Sequence, residues 1–310
     1  MGTSYKIIVR IPDELDVTQQ TLQDSVDSEL RRVNDQMSTY LSTSEISRFN
    51  DSDSTDWFEV SQETAQVVSY SLEVSAASDG LFDVTVGPLV NAWSFGPPPR
   101  SLKPPLKSEI DELLLRIGYR HLSCRLDPPA IRKDIPKVRI DLSAIAKGHG
   151  VDRVVEMLLK TRIHDCLVEI GGEVRGVGQR PGGGPWRIGV ERPDAVNVGG
   201  IEQVVPLNNK SLATSGDYRN FFIDEETKRS YSHTIDPRTG MPVQHDLASV
   251  SVMADNCMEA DAWATAINVM GAEVGLAAAG SRQMDILLIR RDNQELKLIG
   301  TGLLVPKDLK

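Results

Sequence analysis

Val138-Arg139-Ile140-Asp141-Leu142-Ser143-Ala144-Ile145-Ala146-Lys147-Gly148-His149-Gly150 marks the change of texture on which the fold assignment turns. Its alternating start predicts a strand over 138–142. Ile145, Val151, Val154, Val155 and Leu158 then predict a helix over 145–159. Upstream, residues 3–11 alternate towards Ile7 and Val9 and read as an opening strand. Leu22, Val26, Leu30, Val33 and Met37 recur at helical spacing, as do Ala65, Val68, Leu72 and Ala76, with Gly80 as a stop. Pro97, Pro98, Pro99, Pro104 and Pro105 break the chain into a loop. Ser108 with Asp111 reads as the cap of a short helix ending near Gly118.

Downstream, short apolar runs at 167–170, 174–177, 186–190, 204–207, 221–223 and 250–253 read as strands, several separated by glycine turns. A helix over 259–270, a shorter one, and a strand pair at 286–289 and 296–299 close the sequence. Strands interrupted by a few long helices predict the α+β class, with mixed sheets and several packed helices. We expect one unit over 1–310. A division into two lobes sharing one sheet system stays open, with its boundary near Pro136.

Composition narrows the function. The chain has 310 residues, 40% hydrophobic and 25% charged, which is ordinary globular chemistry. Lys and Arg total 34 against 44 Asp and Glu, a formal net charge of −10. Such a chain gains no counterion-release affinity for nucleic acid, so no nucleic-acid partner is expected. Cys124, Cys166 and Cys257 lie far apart and form no zinc spacing. They fit a reduced cytoplasm or an exported protein equally.

Several clusters carry possible chemistry. Met37-Ser38-Thr39-Tyr40 and Ser44 to Asn50 read either as a helix end with a polar loop or as a place where Tyr40 meets a planar ligand. In the segment Leu81 to Trp93, Asp83 sits among apolar neighbours. A buried carboxylate needs a partner, either a helix N-terminus or a donor on a ligand. The junction Asp141 to Gly150 lets a ligand approach backbone, and its helix start attracts an anion that Lys147 could reach. A plain capped junction with a solvated lysine fits as well. It lacks the phosphate-loop spacing GxxxxGK[ST]. Gly171-Gly172-Glu173 and Gly182-Gly183-Gly184 are further turns of close approach. Gly176-Val177-Gly178 runs into Gln179-Arg180-Pro181 and not into a helix, so a Rossmann loop is excluded.

Ser211 to Asn220, followed by Ser232 to Gly240, is the most polar stretch. His233 beside Asp236 and Arg238 could act as acid, base or phosphate contact, or the segment could be a plain Asp-Pro hairpin turn. No GxSxG elbow supports a Ser-His-Asp hydrolase. Asp261 and Thr265 stand four apart, so a helix puts both oxygens on one face. That pair suits Mg²⁺, or is simply an i, i+4 polar pair.

Taken in order, MSTY with SEISRFN, FDVTVGPLVNAW, DLSAIAKGHGVDR, SGDYRN, SHTIDPRTGMP and EADAWATA resemble the ApbE family of FAD:protein FMN transferases over nearly the whole chain. The resemblance implies that Met1, Tyr40, Leu81, Phe82, Asp83, Asp141, Lys147 and Ile235 line an FAD site. It implies Mg²⁺ held by the Ala144 carbonyl and the Asp261 and Thr265 side chains, with Ala264 adjacent, and a catalytic pair of His233 and Asp261. Position 264 is alanine and position 147 lysine where an acid would add metal ligands.

The implied reaction is Mg²⁺-dependent transfer of FMN from FAD to a Thr or Ser hydroxyl of an acceptor flavoprotein, such as a redox-pump or respiratory subunit, with release of AMP. An FAD pyrophosphatase and a non-catalytic FAD-delivery module are the alternatives. The resemblance also implies a periplasmic, membrane-associated life, with an inner-membrane anchor in a full-length precursor. No apolar run here is long enough to span a bilayer.

Overall fold

The computed structural model describes residues 2–96, 103–193, 199–216, 221–225, 227–292 and 295–306. In chain order the elements are β1 (Tyr5–Arg10), α1 (Gln19–Met37), α2 (Glu45–Asp51), β2 (Phe58–Glu59), α3 (Gln62–Ala77), α4 (Gly87–Ala92), α5 (Lys107–Leu114), β3 (Leu122–Leu126) and β4 (Pro129–Lys133). They continue with α6 (Ala146–Lys160), β5 (Asp165–Ile170), β6 (Glu173–Val177), β7 (Trp186–Glu191), β8 (Ile201–Leu207) and β9 (Lys210–Gly216). Then come β10 (Phe221–Ile223), β11 (Ser230–Ser232), β12 (Ile235–Asp236), β13 (Met241–Pro242), β14 (Leu247–Ala254), α7 (Cys257–Met270), α8 (Ala272–Ser281), β15 (Asp285–Asp292) and β16 (Glu295–Gly300). The α+β class holds.

A seven-stranded antiparallel sheet organises the molecule, in the order β1-β5-β6-β9-β14-β15-β16. Every residue of β14 is buried, because both faces of this central strand are covered. Val250 and Val252 enter the main core beside Trp263 and Ile267 of α7, whereas Met253 joins Trp186, Val205 and Leu287 on the other face, under the β7–β8 hairpin. That two-sided cover explains a run with almost no polar alternation beyond Ser249 and Ser251. The main core takes side chains from both sides of Pro136, from Val33 to Ile131 and from Val138 to Leu288. Among the described residues no helix is long and apolar enough to cross a membrane.

Three local expectations are corrected. Residues 138–142 belong to no sheet. The Asn50 side chain takes both hydrogen bonds that a neighbouring strand would, donating to Ile140 O (2.8 Å) and accepting from Ile140 N (2.6 Å). Lys133 Nζ donates to Val138 O (3.1 Å), and Asp141 N donates to Val84 O (2.7 Å). Residues 45–51, read as a polar loop, form α2. Ser44 caps it by accepting from Ser47 N (3.0 Å), and Ile46 and Phe49 bury its inner face. α5 is capped by Glu109, which accepts from Leu106 N (2.7 Å), while Asp111 pairs with Lys107. The first part of the polar stretch 211–220, to which the sequence assigned no element, lies in strand β9, in the middle of the sheet.

Candidate functional site

A tight crossing of α6 and α7 builds the centre of the site. A Cβ at Gly148 would lie 2.3 Å from Cys257 O and 2.8 Å from Asp261 Cβ, so only glycine permits the approach. The start of α7 is tied down from α6, because Asp152 accepts from Cys257 N and Met258 N, each at 2.9 Å. Asn256 caps the same helix through Glu259 N (2.9 Å). The result brings Asp261 to the first turn of α6, where its Oδ2 accepts from Gly148 N at 2.9 Å.

Opposite α7, the β5–β6 turn uses Gly171 and Gly172, both at positive φ (62° and 105°). The turn delivers Glu173 into the same space. Lys147 Nζ lies 2.5 Å from Glu173 Oε1 and 4.0 Å from Asp261 Oδ1. Burial pushes the Glu173 carboxyl up, repulsion from Asp261 adds to that, and Lys147 pulls the other way. Asp261 is likewise raised by burial, with Lys147 and the Gly148 N–H opposing. Burial draws the Lys147 ammonium down, but the two acids outweigh it and hold it above the ordinary lysine value. One helical turn along α7, Thr265 Oγ1 lies 3.1 Å from Ser215 Oγ of β9.

These groups line a cavity of about 940 Å³. Of the residues singled out from sequence, Tyr40, Leu81, Phe82, Asp83, Asp141, Ala144, Lys147, His233, Ile235, Asp261 and Thr265 all line it. Tyr40 is 68% exposed at its mouth. Asp141 shapes the loop into α6 by accepting from Ser143 N (2.9 Å). Ala264 does not line the cavity. It is fully buried in the main core. Met1 lies outside the described residues, as do positions 217–220 of the SGDYRN block.

The partner that Asp83 requires comes from the protein. Asp83 Oδ1 accepts from Thr85 N (2.8 Å) and Thr85 Oγ1 (2.6 Å), and its Oδ2 accepts from Tyr119 N (2.7 Å). Burial still raises its carboxyl against these bonds. His233 stands just before the β12–β13 hairpin, its ring 6.2 Å from that of Phe95. Asp236 serves that hairpin's own turn, accepting from Arg238 N (2.9 Å) and pairing with the Arg238 side chain. Trp93 Nε1 pins the turn through Gly240 O (2.8 Å).

Glu173 and Asn268 are among the polar cavity residues that the sequence did not assign to the site. Glu173 was visible only as the residue after a Gly-Gly turn. Its signal was an acid directly after that turn, at the start of a strand. Asn268 continues the stripe 261, 265, 268 on a helix otherwise rich in alanine, and that spacing was the available clue.

The donor chemistry fits a hard cation. Asp261 offers a carboxylate and Thr265 a hydroxyl, and Ala144, which also lines the cavity, has only its main-chain carbonyl to offer. Among the described residues no three His, Cys, Asp or Glu side chains cluster as a metal site. An ion here would therefore draw remaining ligands from water or phosphate, as magnesium does.

The sequence profile of the ApbE family matches residues 1–288. A Vibrio cholerae protein named FAD:protein FMN transferase is 42% identical over 298 residues, covering 96% of this chain and 87% of that protein. A Haemophilus influenzae protein of the same name is 38% identical, covering 94% of this chain and 85% of its own length. Among solved structures, the flavin transferase ApbE from Vibrio cholerae superposes with a TM-score of 0.89 at 39% identity, over 98% of this chain and 95% of that one.

Proposed function

This chain belongs to the ApbE family, and we propose that it is a flavin transferase that moves FMN from FAD to a serine or threonine hydroxyl of an acceptor flavoprotein. One observation carries the reading. A single cavity gathers Tyr40 at its mouth, Lys147 and the start of α6 at its centre, and the hard-oxygen pair Asp261 and Thr265 on its wall. A planar ring, a pyrophosphate and a divalent cation ask for these three environments.

In the proposed step the acceptor hydroxyl oxygen bonds to the FMN phosphorus, and the bond from that phosphorus to the AMP phosphate oxygen breaks. AMP leaves, and the hydroxyl proton passes to His233 or to a carboxylate beside the ion. Lys147 offsets charge on the bridging oxygens, and Tyr40 orders the dinucleotide at the mouth. Asp141 and the helix start hold the phosphates in line. Magnesium, held by Asp261, Thr265 and the Ala144 carbonyl, would supply charge neutralisation on the phosphate oxygens. We further propose that the acceptors are redox-pump or respiratory subunits, met in the periplasm by a membrane-anchored precursor form.

The test is incubation with FAD and Mg²⁺, with and without a Thr-containing acceptor protein. Acceptor mass rising by one FMN less water, with equimolar AMP, supports the proposal. AMP appearing at the same rate with no acceptor modified would replace transfer by hydrolysis.

A further inference from the structure

Asp261, Thr265 and Asn268 follow one another on the same face of α7, and all three line the cavity. Asn268 is only 1% exposed, and its amide is half used. Its Nδ2 donates to Thr234 Oγ1 at 3.3 Å, while Oδ1 has no partner among the described residues. Its main-chain oxygen meets His245 Nε2 at 2.7 Å, which fixes this turn of the helix. Thr234 is in turn held by Val243 N, which donates to Thr234 O at 2.9 Å. The amide is therefore held rigidly, with one hydrogen-bonding end unspent in a buried place, a condition that is costly unless a ligand completes it.

We infer that Asn268 binds a hydroxyl group of a reactant. The residue stands about one helical turn, roughly 5 Å, beyond Thr265, and next in space to the segment carrying His233. This inference rests on the flavin-transfer reading, in which Asp261 and Thr265 face the pyrophosphate. The hydrogen-bond donors nearest the reacting phosphorus on the two reactants are then hydroxyls, those of the ribityl chain and the attacking hydroxyl of the acceptor, whereas the AMP phosphate only accepts. A hydroxyl both donates and accepts, so it pairs with the open end of an amide that already spends its other end on Thr234.

The test compares Asn268→Leu, which keeps the volume and removes the polar ends, with Thr234→Val, which removes only the amide's protein partner. FAD affinity, acceptor KM and AMP release to water are measured for each and for the unaltered chain. Loss of one buried hydrogen bond corresponds to about tenfold. If the ribityl chain supplies the hydroxyl, Asn268→Leu weakens FAD binding by about that factor. If the acceptor supplies it, FAD binding and AMP release to water persist and acceptor KM rises by about that factor. In either case Thr234→Val shows the smaller loss. Asn268→Leu within twofold of the unaltered chain on both affinities, or losses equal to those of Thr234→Val, overturns the inference. Failure of the unaltered chain to transfer flavin would strike the underlying reading instead. Should Asn268→Leu not fold, a crystal structure of the unaltered chain with FAD and an acceptor peptide decides. A hydroxyl oxygen within about 3.2 Å of the Asn268 amide supports the inference, and any other neighbour there overturns it.

Discussion

Lys147 Nζ stands between two buried carboxylates, 2.5 Å from Glu173 Oε1 and 4.0 Å from Asp261 Oδ1, at the centre of the cavity. Removing the cation alone leaves two buried acids facing each other without a counter-charge. Lys147→Met should lower stability by about 3 kcal/mol in urea denaturation. Lys147→Met with Glu173→Gln should recover at least half of that loss, because both sides of the pair are then neutral. Additive losses in the double variant would show that the pair is not coupled in the folded chain.

Asn50 takes the place of a neighbouring strand for Ile140, and Ile140 leads directly into the Asp141–Ala144 loop. Asn50→Ala should cost about 2–3 kcal/mol, since it strands a buried N–H and C=O together. FAD affinity should fall as well, although Asn50 does not line the cavity. Calorimetry giving unchanged affinity at lowered stability would detach the loop's shape from ligand binding.

Tyr40 tests the opposite case, a residue with little to hold and much to offer. At 68% exposure its removal should change stability by less than about 0.5 kcal/mol. Loss of ring stacking in Tyr40→Ala should weaken FAD binding by about tenfold, with Tyr40→Phe retaining most of it. Equal affinities for all three chains would remove Tyr40 from the binding surface.

The legible parts of this fold were those with a period. α1, α3 and α6 each carry an apolar set at helical spacing, and these helices, with the alanine-rich α7, were placed within a few residues. Residues 138–142 misled because alternation reports a half-buried extended chain, not the identity of its hydrogen-bond partner. For Ile140 that partner is a side chain, Asn50, ninety residues away in sequence. α2 was hidden by its length and polar surface, although Ser44 followed by Ile46 and Phe49 was a cap with a short stripe. The cavity residues were legible as chemistry but not as neighbours. Glu173 depends on a glycine turn to reach Lys147, and periodicity carries no information about that encounter.

His149 gives a pH dependence. It lies on the buried side of α6 with Nε2 lacking a partner among the described residues. Burial pulls its pKa down to about 4, with Arg153 and Arg32 adding to that and Glu63 opposing. The folded pKa lies below the unfolded value near 6.5, so the unfolded chain binds the proton more readily. This contribution is complete above about pH 6.5 and is lost as pH falls towards 4, on the order of 3 kcal/mol in all. Denaturation at a series of pH values should show His149→Gln with a shallower acid limb than the unaltered chain. Superimposed limbs would assign the acid loss to carboxylates alone.

The account stands on Asp261 and Thr265 being the face at which the FAD pyrophosphate is cut. The direct measurement is single-turnover AMP release and acceptor mass for the unaltered chain and Asp261→Asn, across a Mg²⁺ titration, with FAD affinity measured alongside. The account predicts Mg²⁺-dependent transfer by the unaltered chain. In Asp261→Asn it predicts a fall of at least about a hundredfold while FAD still binds. Undiminished AMP release and acceptor labelling by Asp261→Asn at every Mg²⁺ concentration would contradict it.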